Sequence, residues 1–244
     1  RLYVANTGLD CIEAFDRDGR YLGSSGFKAP WLAAQRQLGV VPTDKDWEAT
    51  RRIGWSGTEP RFEPELPTDP YYRRGPDLPF WKRAQRDFVH PNHVCVFGER
   101  LLVTSLVRRA VIDLLGWRPV LTVDSPPHDG LIVDGRYFLT RVDGFVESRP
   151  VDALADVDEV IDVTELSGVL GWCRGLHVGS DLLWVGFTEI RRSPGHPWGR
   201  GPFESTRTAV VALRRGSLDL ACVFDLSDPN RHSKVMGLVA SPAS

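Results

Sequence analysis

His128-Asp-Gly130-Leu-Ile-Val133 runs into Arg136-Tyr-Phe-Leu-Thr140: an apolar run, a tight Asp134-Gly135 turn, and a second apolar run. The phrase recurs. His90-Pro-Asn92-His93-Val94-Cys95-Val96 leads into Arg100-Leu-Leu-Val-Thr-Ser105, and Cys173-Arg-Gly175-Leu-His-Val178 leads into Asp181-Leu-Leu-Trp-Val185. A fourth copy is split between the two ends of the chain, Val235-Met-Gly237-Leu-Val-Ala240 and Arg1-Leu-Tyr-Val-Ala-Asn6. Each copy predicts strand, turn, strand. Copies some tens of residues apart are the signature of an array or a β-propeller. Asn92, Gly130, Gly175 and Gly237 take matching places, 38, 45 and 62 residues apart.

Working outward, Leu2–Asn6, Cys11–Asp16 and a run opening at Tyr21-Leu22 predict three strands without a leading one. Met236–Ser241 is expected to supply it, so that the termini share one blade and remove a free edge. From Val89 onward the pattern predicts three sets of four strands. These are Val94–Phe97, Leu101–Ser105, Ala110–Leu114 and Val120–Val123; Leu131–Val133, Tyr137–Arg141, Gly144–Ser148 and Val160–Val163; and Leu176–Val178, Leu182–Phe187, Thr208–Leu213 and Ala221–Asp225. The reading is one all-β propeller domain over residues 1–244, with four blades counted. A fifth, within the insertion or upstream of Arg1, is compatible with the count.

Residues 24–88 break the rhythm with prolines, tryptophans and two stretches that predict helix, Trp31–Leu38 and Asp46–Ile53. Connections this long serve as lids or docking surfaces more often than short ones do. Residues 24–88 are therefore the expected arm for any protein partner. A partly ordered insertion is the alternative. Arg191–Arg207 is a second polar Gly/Pro-rich loop.

A formal net charge of −2 gives no electrostatic case for nucleic acid. No run approaches the roughly 20 apolar residues of a membrane span. Cys11, Cys95, Cys173 and Cys222 are widely spaced and lie in or beside apolar runs. That predicts buried free thiols and a cytoplasmic setting. A signal peptide is not expected from the sequence at Arg1, and because the chain does not open on Met, upstream sequence is expected.

In a propeller the first strand of each blade lines the channel, and residues just before it lie at the mouth. Two places before the Asn/Gly marker stand His90, His128, Cys173 and Val235, with His232 close to the last. Three readings fit. The polar residues cap turns and tie blades together. Alternatively His90, His128 and His232 hold a divalent transition metal, or His90 and His128 act as acid and base. Arg174, beside Gly175, and Arg191, at the end of the next strand, suit a carboxylate or phosphate. An inter-blade ion pair of Arg174 with Asp129 is the structural alternative. Dinucleotide-binding, P-loop, hydrolase-elbow, EF-hand, WD40 and kelch signatures are absent.

Several segments resemble a bacterial β-propeller family known as a conserved domain of unknown function. Tyr3-Val-Ala-Asn6-Thr7 and Cys11-Ile-Glu-Ala-Phe-Asp16 resemble its early blade, and Pro30-Trp31 its long connection. His90-Pro-Asn92-His93 stands where the family has His-x-Asn-Gly. Trp117-Arg118, Pro127-His128, Arg174-Gly175-Leu176 and Val185-Gly186-Phe187-Thr188 with Arg191 follow in the family's order. Asp129-Gly130 departs from the family's Ser-Pro-Arg. The resemblance implies the propeller fold, additional blade sequence before Arg1, and a cluster of His90, Asn92, His128, Arg174 and Arg191. It supplies no reaction.

The expected function is binding of a small polar or anionic molecule at a mouth lined by His90, Asn92, His128, Cys173, Arg174 and Arg191. Were it an enzyme, His90 and His128 would bind metal or move protons and Arg174 would orient the ligand, in lyase, isomerase or hydrolase chemistry. A non-catalytic interaction scaffold is the other class.

Overall fold

The computed structural model describes residues 1–7, 11–26, 89–106, 108–114, 118–190, 200–228, 234–235 and 237–239. Its contacts divide the chain into two compact units, Arg1–Thr122 and Val123–Ser244. Among the described residues, both are built from antiparallel sheets whose strands follow one another in chain order.

The first unit holds a three-stranded sheet, β1 (Leu2–Asn6), β2 (Cys11–Phe15) and β3 (Tyr21–Gly26), and a four-stranded one, β4 (Pro91–Phe97), β5 (Arg100–Ser105), β6 (Ala110–Asp113) and β7 (Arg118–Thr122). Ile12, Val89, Leu101, Val103, Ile112 and Leu114 form its core, with Tyr3, Ala5 and Val94 packed against them. β3 extends three residues into the stretch read as insertion. The rest of that stretch, with both predicted helices, lies outside the described residues. No fourth strand joins β1–β3 among the described residues, and Gly237–Val239, part of its expected leading strand, is irregular.

The second unit stacks two four-stranded sheets. One is β8 (Pro127–Val133), β9 (Arg136–Arg141), β10 (Phe145–Pro150) and β11 (Glu159–Asp162); the other is β12 (Trp172–Val178), β13 (Leu182–Thr188), β14 (Ala209–Arg214) and β15 (Leu220–Asp225). Phe138, Val146 and Ile161 of the first sheet meet Val178, Val185, Phe187, Val211 and Leu213 of the second in one core. Phe187 is fully buried, which stabilises the unit by about 2 kcal/mol from its apolar surface alone. The β8–β9 turn has Asp134 at φ 52° and Gly135 at φ 71°. Both lie in the left-handed region that a two-residue hairpin of this twist requires. A short helix not foreseen from sequence, α1 (Val163–Ser167), starts where the Asp162 side chain accepts the Glu165 N–H, and Gly168 ends it at φ 67°.

The twelve strands expected after Val89 are all present. The first strand of each four-stranded sheet, however, begins three or four residues earlier than its apolar pattern does. The cause is a β-bulge. Register slips between Pro91 and His93, between Pro127 and Gly130, and between Cys173 and Leu176. An extra residue there breaks the period-two alternation that reveals a strand. None of the helices in the described residues is long and apolar enough to cross a membrane.

Candidate functional site

The bulges correct the register of the repeat. Pro91, Pro127 and Cys173 are the last paired residues before each slip. Asn92, His128 and Arg174 therefore hold one equivalent place, the first residue of the bulge. The alignment of His90 with His128 and Cys173 fails because the Asn/Gly markers do not occupy the same place in the three bulges. An extra residue at a bulge is re-aimed relative to its strand, which suits it to a site.

In the second unit, His128 and Arg174 come from the first strands of stacked sheets and meet around Trp172. The His128 and Trp172 rings stand edge to face, 6.5 Å between centroids. The Arg174 guanidinium carbon lies over the same indole, 4.9 Å from its centroid. A cation against an aromatic face gains about 0.5–2 kcal/mol as water is removed.

Asp129 organises this cluster. Its Oδ2 accepts the Gly175 N–H at 2.6 Å and the Thr140 hydroxyl at 3.3 Å, and it lies 3.0 Å from His128 Nδ1. Thr140 Oγ1 in turn accepts the Asp129 N–H at 2.9 Å. Gly175 sits at φ 76°, and a Cβ there would press on Val235. The bulge of β12 thus presents its amide to a carboxylate from the neighbouring sheet. Burial pulls the Arg174 guanidinium below its ordinary pKa, and the Asp129 charge opposes that pull. The sequence offered an Arg174–Asp129 ion pair as the structural alternative. The structure gives Asp129 an electrostatic hold on Arg174 and a direct bond to the next residue's amide.

Cys173 does not belong with these side chains. It is fully buried in the core of the second unit. Burial, then the charges of Asp129 and Asp143, push its thiol well above the usual range. That is the chemistry of an inert core thiol, not of a ligand. All four cysteines are free.

His90 and Asn92 lie in the first unit. His90 has a left-handed φ of 50°, and its carbonyl accepts the Leu106 N–H at 3.2 Å, extending the β4–β5 pairing by one rung beyond Pro91 and Ser105. Thr7 Oγ1 donates to the Pro91 carbonyl at 2.7 Å, linking β1 to the start of β4. At the other end of the chain, Thr188 Oγ1 accepts the Val235 N–H at 3.1 Å. Arg191 and His232 lie outside the described residues. Among the described residues, no group of three or more His, Cys, Asp or Glu side chains is placed to hold a metal ion.

Sequence reasoning missed Trp172 and gave Asp129 only a structural part. The available signal was the polar pair His128-Asp129 interrupting an apolar run. It also missed a neighbouring ladder of charge. Arg149 and Arg141 both bond the buried Glu147 carboxylate, and Arg141 also bonds Asp143 at 2.7 Å. Phe145 is flanked by the Arg141 and Arg200 guanidinium groups, 4.7 and 4.5 Å from its centroid. A small, shallow cleft lies beside it between Asp143, Thr164, Arg200 and Thr206.

No protein-family model matches the chain, and no curated protein matches it. Among solved structures, the computationally designed Ika8 protein aligns with 62% of this chain and 40% of its own, at 11% identity and a TM-score of 0.40. The dihydro-heme d1 dehydrogenase NirN, solved in complex with DHE, aligns with 56% of this chain and 28% of its own, at 14% identity and a TM-score of 0.36. BamB from Moraxella catarrhalis aligns with 56% of this chain and 52% of its own, at 11% identity and a TM-score of 0.33. The chain spans less than two-thirds of the length of each.

Proposed function

We propose that the repeated sheets are propeller blades and that the second unit carries a small-molecule site at the bulged starts of β8 and β12. Serial four-stranded antiparallel meanders are the unit of construction that a propeller uses. The ligand is a small polar anion. One observation carries this reading: His128 and Arg174, from stacked sheets, share one aromatic partner in Trp172. A guanidinium supplies charge and a two-pronged donor for carboxylate or phosphate. The indole supplies an apolar wall, and the imidazole a third polar contact. If the ligand is turned over, His128 is the group in this cluster suited to move a proton, the task that lyase, isomerase and hydrolase chemistry share.

Calorimetric titration of the whole chain with acetate and with inorganic phosphate tests the site. Saturable binding of one of them, weakened tenfold or more in Arg174→Gln, is the expected result. Binding unchanged in Arg174→Gln and in His128→Asn, or no binding of either anion, overturns it.

A further inference from the structure

We infer that β15 is a docking edge for a second copy of this chain, the two β15 strands pairing antiparallel about a two-fold axis at Val223. The inference is independent of the anion site proposed above. β15 (Leu220–Asp225) is the last strand of its sheet, paired on one side with β14. The Leu226 N–H donates to the Thr208 carbonyl at 2.8 Å, in register with the Phe224–Val210 and Cys222–Ala212 pairs. Bonded and non-bonded pairs alternate along an antiparallel ladder. The backbone groups of Val223 and Asp225 therefore point away from β14, and no strand among the described residues pairs with that side.

An edge of this kind recruits another strand unless charge, proline or brevity blunts it. β7 opens on Arg118-Pro119, and β11 is four residues long and opens on Glu159. β15 has six residues, Leu-Ala-Cys-Val-Phe-Asp, with no Lys, Arg or Pro. Its one pairing irregularity falls between Ala212 and Leu213 of β14 and leaves Cys222–Asp225 regular. Leu220, Phe224 and Leu226 are 44%, 52% and 48% exposed. Phe224 stacks on Trp184 with ring centroids 6.2 Å apart, so an aromatic wall stands beside the open edge.

Charge selects the occupant. The single charge on the strand, Asp225, lies 3.5 Å from Arg207, so the edge offers little to steer a strongly charged peptide. A second copy fits it. With the axis at Val223, each outward-facing Val223 backbone bonds its counterpart, and Asp225 stands opposite Ala221 of the partner subunit. Phe224 then lies beside the partner's Cys222. The two Asp225 residues are four residues apart along the pair, about 13 Å at the rise of a strand, beyond the roughly 8 Å screening length of physiological salt. Such a contact is self-complementary and closes on itself.

Sedimentation velocity of the whole chain, between micromolar and roughly millimolar protein, reads the assembly directly. A concentration-dependent equilibrium between monomer and dimer is expected. Phe224→Lys, which puts a charge from each copy into the contact, should raise the dissociation constant about tenfold or more. Val223→Pro removes an N–H that faces outward, a place in a sheet where proline is tolerated. It should abolish the dimer while the far-ultraviolet circular dichroism keeps its β signal. Should that variant fail to fold, Phe224→Lys decides alone. Monomer throughout the range, or a dimer unchanged by Phe224→Lys, overturns the inference. So does association that continues past the dimer, which a two-fold edge contact cannot produce.

Discussion

The Asp129 carboxylate accepts the backbone N–H of Gly175 at 2.6 Å, joining β8 of one sheet to the bulge of β12 in the next. Both residues are buried, so the bond is sheltered from water. The same carboxylate orients His128. Sheet-to-sheet cohesion and the contact with His128 therefore share one side chain, and changes there will not separate the two cleanly.

Asp129→Ala is expected to destabilise the second unit by about 3 kcal/mol, because a buried amide and a hydroxyl lose their acceptor together. Urea denaturation measures it. Asp129→Asn should recover most of the loss. A cost below the scatter of ordinary surface substitutions would show that water replaces the carboxylate.

Gly186→Ala tests how closely the segment around Val235 packs. A Cβ on Gly186 would lie inside contact distance of Val235 and 2.5 Å from the Arg174 carbonyl oxygen. Backbone cannot yield as a flexible side chain does, so we expect a loss of about 1–3 kcal/mol. Gly216→Ala meets nothing within 4 Å and serves as the neutral control. Equal melting temperatures for the two variants would contradict the packing.

Asp162→Asn isolates the ion pair with Arg200, since asparagine still caps α1. The Asp162 pKa is lowered: burial tends to raise it, but the Arg200 bonds and the backbone N–H groups of α1 outweigh that. A depressed carboxylate stabilises the fold above its unfolded pKa of about 4, and the effect is lost as pH falls through the lower folded value. The pair is partly exposed, so the difference from wild type should be about 0.5–1 kcal/mol at neutral pH. It should shrink to nothing in acid. A difference that grows as pH falls would reverse the assignment.

Iodoacetamide should reach Cys95 and Cys222, which are partly exposed, well before Cys173. Burial holds the Cys173 thiol protonated as well as out of reach. Mass spectrometry of timed digests gives the order. Early labelling of Cys173 would mean that the core opens locally.

Strands, turns and their order were legible along the chain because each depends on near neighbours. The apolar run Tyr137–Leu139 and the Asp134-Gly135 pair declare a hairpin without reference to anything distant. The bulges were not legible. At Asn92, His128-Asp129 and Arg174-Gly175 the alternation fails, and a failed pattern reads as loop. The repeat was consequently aligned on glycine and asparagine, which paired His128 with His90 and Cys173 instead of with Asn92 and Arg174.

The amino-acid order by itself determined the all-β class and the serial meanders, because hydrophobic periodicity and turn chemistry act over a few residues. Only the tertiary structure decided that Asp129 belongs to Gly175, that Trp172 touches both His128 and Arg174, and that Asp162 anchors Arg200. Those partners are up to 46 residues apart in the chain, and nothing local distinguishes a carboxylate that will reach another sheet from one that faces water. The stacking of two sheets brings the groups within bonding distance, and burial then makes each missing bond costly.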